Sequence, residues 1–286
     1  MTEKIFLTAF VLLFLVSCKE ERPTMLVKSI HEVHAKVEEI LKTENPENVL
    51  VVFDIDMTLT QPDHPATFCP NLKKHQNVMK NIRDELAPEQ LDYLATSTLQ
   101  LPQRLIEKDS PKIIKSMQAK GIKVIALTAT LTGSWKDSEN KIIFKRKDDL
   151  QALGFDFSFQ GRVVSYTNFP LYADGYPTLY HGILCSNGEG SGVGKGKVLS
   201  AFLRQVGETK GGAYRTGYVP KIIIMADDKK KNLEDVQKAM ATDFPDIQFI
   251  GFEYQGAFDY APQDISEADF GKFWQGVLIK AKEARV

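Results

Sequence analysis

The chain is poor in cysteine, with three in 286 residues, at positions 18, 69 and 185. That is too few for a disulfide-built scaffold. Excess charge is missing as well. Thirty-six Lys and Arg stand against 37 Asp and Glu, a net charge of −1. No basic footprint for nucleic acid or for an anionic membrane surface follows from that balance. Internal repeats and heptad runs are absent, and no apolar stretch is long enough for a comfortable bilayer span. Residues 188–197 are glycine-rich, yet neither Lys195 nor Lys197 completes the Gly-x-x-x-x-Gly-Lys-Ser/Thr phosphate loop. His31 and His34 lie three apart on a predicted helix and read as surface or core residues. His64, Cys69 and His75 fit no common zinc spacing. What is present is a hydrophobic content of 43%. With this length it suits one large domain, or one domain carrying an insertion.

The N-terminus stands apart. Lys4 precedes a mostly apolar segment over 5–16, which suits the core of a signal peptide. Leu15-Val16-Ser17-Cys18 resembles the bacterial lipobox. The resemblance implies a signal peptide over 1–17, acyl chains on Cys18, and a tether over 18–24. It places the protein in the bacterial cell envelope, lipid-anchored and facing the periplasm. An ordinary secretory signal and a buried N-terminal helix are the other readings of this segment. In an oxidising envelope Cys69 and Cys185 could pair; they could equally be buried free thiols.

Residues 49–60 read Val-Leu-Val-Val-Phe-Asp-Ile-Asp-Met-Thr-Leu-Thr. The apolar, β-branched run predicts a buried strand that delivers Asp54 and Asp56 into a turn ending in Thr58. Two carboxylates that close repel each other unless a cation or a shared proton holds them. Ligands of open α/β sheets sit just beyond the carboxyl ends of the strands. Asp-x-Asp is also common in plain turns, so the rest of the chain decides.

Apolar spacing over 25–42 predicts a helix, broken at 45–48. Residues 60–109 are mostly polar and helical in pattern, without a strong strand, and read as a helical cap inserted over the end of the first strand. A helix over 111–120 stops at Gly121, and 122–127 form a second strand ending at Thr128. Residues 133–190 predict short strands and aromatic loops around Trp135, 142–144 and 155–159, a helix over 146–153 and a strand over 180–185. A helix over 197–206 and a third clean strand over 222–226 follow, the strand ending in Asp227-Asp228. Lysines 229–231 then read as a solvated helix start or as an attraction for an anionic substrate. A last strand covers 247–252. The alternation predicts an α/β fold over 25–286: a Rossmann-like, mainly parallel sheet with helices on both faces.

In one parallel sheet the groups at Asp54-x-Asp56-x-Thr58, Thr128, Lys195 and Asp227-Asp228 can converge on one edge. Their order and spacing, over residues 49–255, resemble those of the haloacid dehalogenase-like phosphohydrolases. The resemblance implies that Asp54 attacks phosphorus to form an aspartyl-phosphate, and that Asp56 is the general acid and base. It implies that Thr128 binds the phosphoryl group, that Thr58 supports the motif and that a lysine neutralises charge. Lys195-Gly196-Lys197-Val198-Leu199 resembles the family's Lys-Gly-x-x-Leu helix start, which favours Lys195 over Lys197. Mg²⁺ would sit among the Asp54 carboxylate, the Asp56 main-chain carbonyl and one acid of the Asp227-Asp228 pair. The family's variant with paired acids favours Asp228, leaving Asp227 to orient the lysine and Asn232 to support the site.

The expected function is a membrane-tethered, Mg²⁺-dependent phosphatase of small phosphorylated substrates, with no nucleic-acid partner. The alternative is a non-catalytic envelope lipoprotein that keeps the fold for binding. A glycosyltransferase can also use Asp-x-Asp, but the acidic pair after the third strand disfavours it.

Overall fold

The computed structural model describes residues 24–134, 141–208 and 216–283. The signal segment, Cys18, nearly all of the tether and Trp135 therefore lie outside the described residues. Among those described, no helix is long and apolar enough to cross a membrane.

The chain opens with a short strand, β1 (Met25–Val27), before helix α1 (Ile30–Ile40). The expected single helix over 25–42 is thus shortened. Ser29 interrupts it as a capping box, accepting from His31 N while Glu32 reaches back to the Ser29 backbone. Strand β2 (Val49–Phe53) follows, then β3 (Thr60–Pro62), α2 (Cys69–Lys74), α3 (Gln76–Asp84), α4 (Pro88–Ser97) and β4 (Gln103–Leu105). Next come α5 (Ser110–Ala119), β5 (Lys123–Thr128), α6 (Ile142–Ala152), β6 (Val163–Ser165), β7 (Thr178–Tyr180) and β8 (Ile183–Cys185). The chain ends with α7 (Gly194–Gly207), β9 (Ile222–Asp227), α8 (Lys230–Asp243), β10 (Gln248–Tyr254) and α9 (Glu267–Glu283).

Eight strands form the main sheet in the order β1-β10-β9-β2-β5-β8-β7-β6. The pairings from β1 through β8 are parallel. The last two, β8 with β7 and β7 with β6, are antiparallel. The α/β class and the mainly parallel sheet are as expected. Every residue of β2 is buried because the two faces of the sheet have separate cores. Val49, Val51 and Phe53 pack toward α1, α5 and α6, while Leu50 and Val52 pack toward α7 and α8.

Residues 155–159 run as a loop whose Phe155 and Phe157 are core, instead of a strand. Residues 180–185 divide into β7 and β8 around a tight reversal at His181 (φ 50°) and Gly182 (φ 84°). Two successive positive φ angles make a hairpin turn, and glycine supplies one of them without strain.

Residues 60–109 hold α2, α3 and α4, as the helical pattern predicts, but also the small antiparallel pair β3–β4. This region does not stand alone. Met79, Ile82, Tyr93 and Leu94 share a third core with Phe270 and Trp274 of α9. Trp274 Nε1 donates to the Ala66 carbonyl at 2.9 Å, and Asn71 Nδ2 donates to the Gln263 carbonyl at 2.9 Å. The end of the chain thus covers the segment that follows the first strand.

Candidate active site

Parallel pairing brings the strand ends to one edge. Phe53 pairs with Ala126 of β5 on one side and with Ala226 of β9 on the other. Asp54, Thr128 and Asp227 therefore emerge side by side. Asp54 N still donates to the Ala226 carbonyl at 2.9 Å, which ties the first aspartate to the third strand. Beyond it the chain turns sharply. The Ile55 carbonyl accepts from the backbone of Thr58, Leu59 and Thr60, and Met57 adopts φ 62°. That left-handed conformation costs a non-glycine residue on the order of 1–2 kcal/mol. Met57 Sδ lies 3.4 Å from the Cys69 thiol of α2, a soft contact beneath the turn.

Lys195 lies in the first turn of α7, buried, with its ammonium group between two carboxylates. Nζ donates to Asp54 Oδ1 at 2.5 Å and to Asp227 Oδ2 at 2.7 Å. Lys197, the alternative, is exposed. The helix start reaches this depth because Gly196 packs against α8. A Cβ at Gly196 would meet the Asp235 carbonyl at 2.5 Å. The Gly196 N–H instead donates to the Asp235 carboxylate at 2.7 Å.

The adjacent acids of β9 differ. Asp227 is fully buried, and its remaining oxygen accepts from Asn232 Nδ2 and from Lys229 N, both at 2.9 Å. Asp228 is half-buried and, among the described residues, makes no side-chain hydrogen bond, although Lys229 and Lys195 both attract its charge. Ligand oxygens of Asp54, Asp227 and Asp228 all lie within 4.8 Å of one another. Burial, followed by the neighbouring Asp227 charge, pushes the Asp228 carboxyl up to about 7. Burial also raises Asp54 well above the usual carboxylate range, against the pull of Lys195. Burial alone would lower Lys195; Asp227 and Asp54 outweigh it and raise its pKa. Lys195, with Lys229 acting on Asp228 from the rim, faces three clustered acids, and these form a hard-oxygen donor set that fits a divalent cation.

Asp56 points elsewhere. Its two carboxylate oxygens accept from Arg146 Nη2 at 2.7 and 2.6 Å. Arg146 comes from α6, is 2% exposed, and donates from Nε to Thr130 Oγ1 at 3.1 Å. Thr130 Oγ1 is 3.0 Å from Thr128 Oγ1, which lies 3.5 Å from Asp56 Oδ2. Thr128 is thus in place, although its hydroxyl is engaged within this threonine pair. Thr58 is a weaker support, with Oγ1 3.4 Å from Asp54 Oδ2. Asp56 lies outside the acidic cluster, so what it can offer a cation is its main-chain carbonyl.

Reasoning from motifs did not reach Arg146. The signal was its position one turn from both Ile142 and Leu150, on the buried stripe of α6. A charge at a core position needs a partner.

At the rim, Lys229, Lys230 and Lys231 are exposed as expected of a solvated helix start, and Lys229 and Lys231 both pair with Glu189, at 2.5 and 2.6 Å. Burial would raise the Glu189 carboxyl, but the two ammonium groups hold it down at about 2. Asp92 of α4 accepts from Glu189 N, Gly190 N and the Tyr172 hydroxyl. The glycine-rich loop is therefore tied to the 60–109 region. Cys69 and Cys185 are both buried free thiols. His64 stacks on Phe273 and His75 contacts the Ile265 carbonyl; among the described residues neither lies in a metal-ligating cluster.

A family model described as "Protein of unknown function (DUF2608)" matches residues 26–278, and the chain belongs to that family. It is 23% identical over 259 residues to an uncharacterized protein of Rickettsia bellii, covering 86% of this chain and 82% of that one. A Rickettsia felis protein is likewise 23% identical over 259 residues, covering 86% and 81%. A Rickettsia conorii protein is 22% identical over 274 residues, covering 90% and 85%. No solved structure matches the chain.

Proposed function

We propose that this member of the DUF2608 family is a cation-dependent phosphohydrolase of the haloacid dehalogenase-like type, cleaving phosphate monoesters through an aspartyl-phosphate. The observation that carries the reading is the placement of Lys195 between Asp54 and Asp227, with Asp228 clustered beside them.

The Asp54 oxygen attacks phosphorus, and the ester P–O bond breaks. The departing alkoxide takes a proton from Asp56. In the second half a water molecule gives its proton to Asp56 and attacks the same phosphorus, breaking the bond to Asp54 and releasing phosphate. Lys195 lowers the charge on the nucleophile throughout, and Thr128 offers a hydroxyl to the phosphoryl oxygens. Asp54, Asp228 and the Asp56 carbonyl would hold Mg²⁺, which supplies charge neutralisation at the phosphoryl oxygens when bound. The 60–109 region, roofed by α9 and strapped through Asp92, fits a cap that excludes water around a small substrate.

The test is hydrolysis of a generic aryl phosphate by protein lacking residues 1–18, with Mg²⁺, with chelator, and with Asp54→Asn. Metal-dependent turnover that the variant loses supports the reading. A folded, Mg²⁺-binding protein without turnover on any phosphate monoester would refute catalysis. Lipid anchoring at Cys18 rests on the lipobox resemblance and is tested separately: Cys18→Ser should move the protein out of the membrane fraction.

A further inference from the structure

Asp54 and Asp56 are two residues apart on one tight turn, and three acids already crowd the edge of the sheet. A fourth carboxylate, that of Asp56, follows on the same turn, yet it is not part of that cluster. In the structure it is held away. Arg146 Nη2 contacts both Asp56 oxygens, while Nε is fixed on Thr130. A guanidinium held at both Nε and Nη2 cannot follow its carboxylate around the turn. Exposure is asymmetric: 2% for the Arg146 side chain against 42% for that of Asp56. The arginine is therefore a fixed wall, and the open side of the pair belongs to Asp56.

We propose that Arg146 is a positioning residue that holds the Asp56 carboxylate out of the Asp54, Asp227 and Asp228 cluster, facing it toward the leaving group instead of a bound cation. The kinetic part of this inference rests on the phosphohydrolase reading; the coordination part does not. A merely structural pair, supporting α6 between Ile142 and Leu150, would leave cation coordination unchanged when broken. A positioning role would not.

The experiment uses the full chain with Mn²⁺ as probe, in the wild type, Arg146→Gln, Arg146→Lys, Asp56→Asn and the Arg146→Gln/Asp56→Asn double variant. Water-proton relaxation reports the waters left on Mn²⁺, and titration gives its affinity. Arg146→Gln should lose a metal-bound water and tighten Mn²⁺ on the order of 10-fold, the scale on which a neighbouring group alters metal affinity. Adding Asp56→Asn should restore both values, whereas Asp56→Asn alone should change neither. On an alkyl phosphate, Arg146→Gln should lower kcat about 100-fold, with KM within about threefold. If Arg146→Gln does not fold, Arg146→Lys carries the test, because it keeps the charge and loses the fork. A folded variant with unchanged water number and affinity overturns the positioning role alone. Mn²⁺ binding without hydrolysis by the wild type overturns the phosphohydrolase reading alone. Absence of Mn²⁺ binding overturns both.

Discussion

Two poles of the site each hold one buried cation, and they are built differently. At the lysine pole, Lys195, Asp54 and Asp227 are all buried, and Asn232 and the Lys229 backbone complete the hydrogen bonds of Asp227. At the arginine pole, Arg146 is buried but Asp56 is 42% exposed. The closed pole is suited to a charge that must not be solvated during reaction, such as a nucleophile. The open pole is suited to a group that exchanges protons with a leaving group and with water. Two aspartates separated by one residue therefore receive opposite environments, because the turn at Met57 sends one into the sheet and the other out of it.

The contrast is broken most severely at the closed pole. Lys195→Met should strand the Asp54 and Asp227 charges. Loss of one partner of a buried pair costs about 3–5 kcal/mol. The expected outcome is a large fall in thermal midpoint together with loss of turnover, read by calorimetry and by aryl phosphate hydrolysis. Asp54→Asn, nearly isosteric, should abolish turnover while keeping the fold, since Lys195 retains Asp227. At the open pole, Asp56→Asn should lower kcat by about 10²–10⁴-fold with alkyl phosphates and by less with aryl ones, whose leaving groups need little protonation. A comparison of leaving groups reads this directly, and equal losses would remove the acid role.

Asp227 and Asp228 sharpen the same contrast at smaller amplitude. Asp228→Asn should raise the Mg²⁺ requirement by about 10–100-fold and change stability little. Asp227→Asn should do the reverse, because it disrupts three hydrogen bonds. Titrating activity against Mg²⁺ alongside melting curves separates the two, and the opposite pattern would exchange their roles.

The pH dependence is subtler. The Asp228 pKa is about 7 in the folded protein against a reference of 3.8. Between those values the folded state binds more protons than the unfolded state, so stability without metal falls as pH rises from about 4 to about 7. Thermal midpoints over that range should decline less in Asp228→Asn. The smallest effect is at the thiols. Burial pushes Cys69 and Cys185 up to about 12. In Cys18→Ser protein, thiol labelling at neutral pH should therefore wait for unfolding.

The closed pole was the more legible in sequence. Strand β2 is apolar at every position because both of its faces are buried, and Lys195 sits in a recognisable helix start. The open pole was not, because Arg146 carries no motif and becomes meaningful only when α6 is laid against the sheet. Three-residue strands such as β3 and β4 have too little periodicity to register. The stripe of Phe270, Trp274, Val277 and Leu278 reads locally as a helix, but its partners lie in α3 and α4, some 190 residues earlier in the chain, as the His75 to Ile265 contact illustrates. Sequence spacing carries no information about such a pairing.

That pairing also sets an order of assembly. A chain made from its N-terminus completes the parallel sheet once β10 has emerged, before α9 exists. Until α9 follows, Met79, Ile82, Tyr93 and Leu94 lack the part of their shared core that Phe270 and Trp274 supply. The segment beside β2 is thus the last to be finished, and a chain cut short after Tyr254 would keep its sheet while presenting an adhesive apolar surface to its surroundings.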